Sequence, residues 1–202
     1  MSFLTLPPNA PFNGAQRMWL KGFLDGISSA FPPASGNAAV HLAPPASAAS
    51  PGVPVTILWG SQTGNSEALG KKLSKSLASK GHSPTLRDMA EVTPNSLATF
   101  ENILIITSTY GDGEPPDNAA ALHAALAAAD APPLSSVKFA VLALGDSNYP
   151  DFCKCGHDFQ ERLSALGAVP LIPLTESDVD YDGPFALWIG QIQECLSAQI
   201  AA

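Results

Sequence analysis

Basic residues are scarce in this 202-residue chain: ten Lys and Arg stand against eighteen Asp and Glu, for a formal net charge of −8. A nucleic-acid binder needs clustered cations to neutralise phosphates, so no nucleic-acid partner is expected. The deficit suits a protein that docks on a basic partner. Cysteine is scarce too, with only Cys153, Cys155 and Cys195. A disulfide framework needs more, in even number. The Cys153-Lys154-Cys155 spacing is too short for the usual redox or zinc pair, and no metal site is expected. These cysteines read as reduced thiols of a cytoplasmic protein. No run reaches the roughly 18 apolar residues of a membrane span. The N-terminus shows no positive leader before an apolar core, so no secretory signal is expected.

What is present falls into three stretches. Hydrophobic residues make up 46% of the chain, enough for a sizeable core. Residues 1–31 are expected to form a helical extension. Asn13 would cap a helix over Gln16 to Ala30, with Leu20, Phe23, Leu24 and Ile27 on one face. Residues 32–52 are rich in Pro, Ala and Ser and nearly free of charge, which is linker composition. The helix is expected either to dock on a partner or another copy of the chain, or to fold back on the main domain.

Residues 53–202 alternate strand and helix patterns. Continuous apolar, β-branched runs at "VPVTILW", "NILIITST" and "KFAVLALG" predict strands buried on both faces. "TLRDM" is a shorter strand and "VPLIPL" an irregular last one, an edge because of Pro170 and Pro173. Helices are predicted over Asn65 to Lys80, Asn118 to Asp130, Gly156 to Gly167 and Phe185 to Ala198. The expected fold is α/β: a flavodoxin-like, doubly wound, five-stranded parallel sheet in the order 2-1-3-4-5. In that order, ligands sit beyond the carboxyl ends of the strands.

The unusual residues cluster there. After the first strand comes Ser61-Gln62-Thr63-Gly64-Asn65-Ser66, opening a helix. Helix-start N–H groups favour anions, and hydroxyls and an amide add donors. The loop has no Lys or Arg and matches neither Gly-Lys-Ser/Thr nor GxGxxG. Neutral donors suit one terminal phosphate monoester without a metal. Two later loops, around Tyr110 and Tyr149, each set a tyrosine among turn formers. Two such tyrosines on neighbouring strand ends predict a clamp for a flat ring.

"SQTGN", "STYGDGEPPDNA" and "LGDSNYPDFCKCGHDF" resemble, in order and spacing, the three flavin loops of the FMN-binding domain of diflavin reductases. "EPPDNAAALHAAL", "GDSNYPDFC" and "SDVDYDGPFALW" are most like the flavoprotein alpha subunit of bacterial NADPH–sulfite reductase. The resemblance implies that Ser61 to Ser66 hold the FMN phosphate. It implies that Ser108, Thr109, Tyr110 and Gly111 wrap the ring and ribityl chain together with Leu144, Gly145, Asp146, Ser147, Asn148, Tyr149, Pro150, Asp151, Phe152 and Cys153. Tyr110 and Tyr149 would flank the two ring faces, the Gly111 peptide would meet the flavin N5, and Asp178 would lie near the ring.

The expected function is one-electron transfer. Electrons would come from an FAD- and NADPH-binding reductase module outside these 202 residues. They would pass to a basic metalloprotein acceptor, most naturally sulfite reductase haemoprotein. A flavodoxin-like binding domain without redox work is one alternative, and donation to a P450 or a nitrate/nitrite system is another. Asp112, Glu114, Asp117, Asp146, Asp151, Glu176, Asp178, Asp180 and Asp182 all fall in loops beyond the strand ends, with Lys154 the one nearby base. That pattern predicts a negative collar that steers the acceptor.

Overall fold

The computed structural model describes residues 52–201. The expected helix over Gln16 to Ala30 and nearly all of the linker lie outside the described residues. The elements run β1 (Pro54–Gly60), α1 (Asn65–Ser79), β2 (Ser83–Asp88), a 3₁₀ turn (Met89–Glu91), α2 (Pro94–Leu97), β3 (Asn102–Ser108), α3 (Asp117–Leu126), β4 (Lys138–Leu144), α4 (Lys154–Ala165), β5 (Val169–Pro170), β6 (Thr175–Ser177) and α5 (Asp182–Ala201).

All strand pairings are parallel, in the order β2-β1-β3-β4-β5, with β6 also on β4. The order 2-1-3-4-5 is the expected one. Side chains alternate between faces along a strand, so the three central strands feed two cores. Leu58, Ile103, Ile105, Phe139 and Val141 pack with Leu122 and Leu126 of α3 and Phe159 and Leu163 of α4. Ile57, Leu104, Ile106, Ala140 and Leu142 pack with Leu69, Leu73 and Leu77 of α1 and with Trp188, Ile192 and Leu196 of α5. Covered on both faces, these strands carry no polar alternation.

The fifth strand differs from its expected form. "VPLIPL" pairs with β4 only at Val169 and Pro170, and pairing resumes at Thr175 to Ser177. Pro170 and Pro173 have no N–H to donate, so a continuous ladder cannot form across them. Two short elements escaped the periodicity reading. The Asp88 carboxylate accepts from Ala90 N at 2.9 Å to cap the 3₁₀ turn, and a Thr93–Ser96 capping box opens α2. At the last helix, α5 begins at Asp182 and ends at Ala201, longer than predicted at both ends.

Candidate functional site

The loop after β1 is organised from within. Gly64 sits at φ 87 as the N-cap of α1, a left-handed conformation that glycine reaches cheaply. The Ser61 hydroxyl accepts from Gly64 N at 2.9 Å and Ser66 N at 3.4 Å. Ser61 N donates to Asn118 Oδ1 at 3.0 Å. The Ser61 N–H and the acceptor side of its hydroxyl are thus engaged inside the protein, while its O–H proton meets no acceptor among the described residues. The N–H groups of Gln62, Thr63 and Asn65 have no partner among the described residues. The Ser66 hydroxyl is buried without a partner. Unpaired donors at a helix start and no cation nearby form an anion cradle.

The loop after β3 is a tight hairpin. Tyr110 and Glu114 exchange backbone hydrogen bonds of 2.9 and 2.8 Å, with Gly111, Asp112 and Gly113 at the tip. Gly111 and Gly113 have φ of 53 and 96, which explains two glycines in three residues. Thr109 fixes the hairpin base: its N–H donates to Leu144 O at 3.0 Å and its Oγ1 accepts from Cys155 N at 3.2 Å.

The loop after β4 is held from two sides. The Asp146 carboxylate accepts from the backbone and side-chain nitrogens of Asn148 at 2.9 and 2.7 Å, forming an Asx turn. Cys153 caps α4 at φ 57, the one non-glycine with positive φ among the described residues. Its thiol donates to Ala143 O at 3.2 Å. Burial pushes the Cys153 and Cys155 thiols up to about 11, so both are protonated, inert packing groups at neutral pH. The Asp178 carboxylate accepts from Ser147 N and Oγ and from Val179 N. Those bonds hold it below the usual carboxylate range, the Ser147 hydroxyl foremost.

A cleft of about 520 Å³ opens between these loops. Asn65 borders it from the first loop, Ser108 to Gly111 from the second, and Leu144, Gly145, Asp146, Tyr149, Asp151, Phe152 and Cys153 from the third, with Asp178 beside them. Tyr110 and Tyr149 are 55% and 59% exposed, so each leaves much of its aromatic surface open. Ser147, Asn148 and Pro150 do not line the cleft; Ser147 and Asn148 instead brace its wall. Ser61 to Gly64 and Ser66 lie outside the cleft lining, in the loop that leads to Asn65. Asp112, Val179 and Tyr181 line it unpredicted.

The acids are only partly free. Asp117 accepts from Gln62 Nε2 at 3.1 Å, Glu176 meets His157 Nε2 at 2.6 Å, and Asp182 lies 4.0 Å from Lys72. Lys154 is paired with Asp158 at 2.9 Å. Lys154 is thus joined by Lys72 and His157 as a nearby basic group. Asp112 and Asp180 are exposed and form no side-chain bond among the described residues. A phosphomonoester on a flat heteroaromatic ring fits this donor set: cation-free N–H groups, an orphaned hydroxyl and two open tyrosine faces.

The flavodoxin family profile matches residues 57–188. The sulfite reductase [NADPH] flavoprotein alpha-component of Bacillus subtilis is 41% identical over 175 residues, covering 87% of this chain and 29% of its own length. Its counterpart in a Shewanella species is 45% identical over 179 residues, covering 89% and 29%. This chain thus spans about three-tenths of the length of these curated relatives. Both matches are longer than the stretch 52–201, so they run into the N-terminal extension. Among solved structures, a Streptococcus pneumonia flavodoxin superposes with a TM-score of 0.64 at 26% identity, covering 73% of this chain and 99% of that one. A Pseudomonas aeruginosa flavodoxin mutant gives 0.63 at 28% identity, covering 72% and 99%.

Proposed function

The chain belongs to the flavodoxin family, and from that we propose that residues 53–202 form the FMN-binding electron-transfer module of a sulfite reductase flavoprotein. The observation that carries this reading is a cation-free anion loop that reaches, through Asn65, the cleft lined by two exposed tyrosines. Bound FMN supplies the redox chemistry, accepting and returning electrons one at a time.

The chain's own residues bind and orient. Ser61, Thr63, Asn65 and Ser66 hold the phosphate with the free N–H groups of Gln62, Thr63 and Asn65. Tyr110 and Tyr149 cover the ring faces, each stack contributing about 1 kcal/mol beyond area burial. The strand ends at Ser108, Leu144 and Gly145 form the floor, and Gly111 presents a peptide that can turn over at little conformational cost. Asp112 and Asp180 supply the unpaired negative charge that draws in a basic acceptor. Asp178 acts through Ser147 on the position of the Tyr149 loop.

In this reading an FAD- and NADPH-binding module donates the electrons, and sulfite reductase haemoprotein accepts them in the cytoplasm. Both relatives are named as flavoprotein alpha-components of an NADPH-dependent sulfite reductase, which favours this route over a P450 or a nitrate/nitrite system. The extension 1–31 serves assembly, either with partner subunits or between copies of the chain.

The test begins with colour. Heat-released flavin should run as FMN, one per chain, and the photoreduced protein should pass electrons to sulfite reductase haemoprotein. Release of FAD, or no flavin uptake on reconstitution with FMN, would sink the cofactor assignment. Transfer to a P450 but not to the haemoprotein would reassign the acceptor.

A further inference from the structure

We infer that Asn118, which closes the second flavin loop and is not among the expected cofactor-binding residues, presets the phosphate loop and so determines the preference for phosphorylated over unphosphorylated flavin. The inference rests on the FMN reading and deepens it.

Asn118 is the second residue of α3, yet every side-chain bond it makes reaches another segment. Its Oδ1 accepts from Ser61 N at 3.0 Å. Its Nδ2 donates to Trp59 O at 3.1 Å and to Asp88 Oδ1 at 2.9 Å. One planar amide therefore grips the backbone on both sides of Gly60 and ties it to the end of β2. One N–H donor faces Oδ1 and two acceptors face Nδ2, so the amide has one consistent orientation. α3 lies close at Gly60: a Cβ there would meet Ala119 Cβ of α3 and Thr107 Oγ1 of β3, each at 2.9 Å. The close approach at residue 60 is what lets so short a side chain span the gap.

The consequence lies one residue further on. With Ser61 N turned to Asn118, the Ser61 hydroxyl faces forward and takes Gly64 N and Ser66 N. The N–H groups of Gln62, Thr63 and Asn65 are left over. A second rung repeats the bridge at the surface, where Gln62 and Asp117 exchange bonds of 3.1 and 3.3 Å. The Asn118 rung is half-buried and the Gln62 rung exposed, so the first is the harder to replace with water. Removing Asn118 leaves Ser61 N without its partner and frees the loop to turn its donors elsewhere.

Amide exchange followed by NMR on the wild-type apoprotein tests this without any substitution. Ser61 N–H should be protected and Thr63 N–H should exchange freely, Thr63 gaining protection only when FMN is added. Ser61 exchanging as fast as Thr63 would overturn the inference. Asn118→Ala should then speed Ser61 exchange at least tenfold and weaken FMN at least tenfold, while riboflavin affinity changes less than twofold. Equal loss for both flavins would make Asn118 a general fold element and end the proposal. A wild-type protein that shows the protected Ser61 but binds no FMN would count against the cofactor reading and not against the preset loop.

Discussion

Ser147 donates to Asp178 twice, from its backbone N–H at 3.1 Å and from its hydroxyl at 2.5 Å. The two residues are 31 positions apart and belong to loops that follow β4 and β6. With Val179 N also on the carboxylate at 2.8 Å, Asp178 is a clamp between two walls of the cleft. Its two oxygens accept three bonds from protein donors, which fixes the carboxylate at the cleft wall that it lines.

Asp178→Ala should therefore loosen the Tyr149 loop and weaken flavin binding by about fivefold, the scale of losing hydrogen bonds at an exposed site. Because the clamp acts at the ring end, riboflavin should lose as much as FMN. Fluorescence titration of the apoprotein with both flavins checks this. A loss confined to FMN would place Asp178 in the phosphate site instead.

Thr63→Ala should show the opposite pattern. A hydrogen bond to a charged group contributes about 1.5–3 kcal/mol, so FMN affinity should fall roughly ten- to a hundredfold with riboflavin barely affected. Equal loss for both ligands would mean that the Thr63 hydroxyl does not reach the phosphate.

Stability should fall as the solution is acidified from neutrality. Burial lowers the proton affinity of His82 and His123 below the ordinary value of 6.5. His123 also sits edge-on to Phe159 at 5.4 Å, close to Arg162. A folded-state pKa below the unfolded one means that the unfolded chain takes up protons first. Stability is then complete above about pH 6.5 and declines below it. Asp178 works in a lower window: its depressed pKa stabilises above the unfolded value of 3.8 and that contribution is lost as pH falls further. Urea midpoints at pH 8 and pH 5 measure the histidine part, and His123→Gln should shrink the difference. Identical midpoints for the wild type would remove it.

Electron transfer to a basic acceptor should slow with added salt, because surface charge is screened over about 8 Å at physiological ionic strength. Asp112→Lys with Asp180→Lys should slow transfer at low salt and flatten the salt dependence, and Asp180→Lys alone, outside the cleft lining, should do so in part with FMN still bound. Both carboxylates are exposed and free of side-chain bonds among the described residues. Stopped-flow transfer from the photoreduced protein across a salt series is the measurement, and a rate indifferent to salt in both proteins would assign these acids to solubility alone.

The fold was legible because burial dictates it. Strands covered on both faces must read as unbroken apolar runs, and β1, β3 and β4 do. The three site loops were legible because glycine, proline and hydroxyl residues collect where a backbone must turn and present donors. The connections between loops were hidden. Asn118 read as an ordinary helix start, since a bond to a residue 57 positions away leaves no local pattern. The sequence puts Asp178 near the ring, and it lines the cleft, but nothing local announces its bonds to Ser147, 31 positions away. Tyr181 and Val179 enter the cleft only through the way β6 resumes its pairing after Pro173.

That interrupted strand also decides whether another chain can extend the sheet. An exposed sheet edge offers a row of free N–H and C=O groups on which another chain can add a strand. Here one outer position is broken into pieces of two and three residues. At the other, β2 carries Pro84 and ends on Arg87 and Asp88. Proline withholds a donor and charge resists burial, so neither side offers a template of useful length. The sheet is thereby closed to growth by strand addition and to the fibrous aggregation that follows from it. That leaves helix faces and strand-end loops as the surfaces through which the described domain can join a larger assembly.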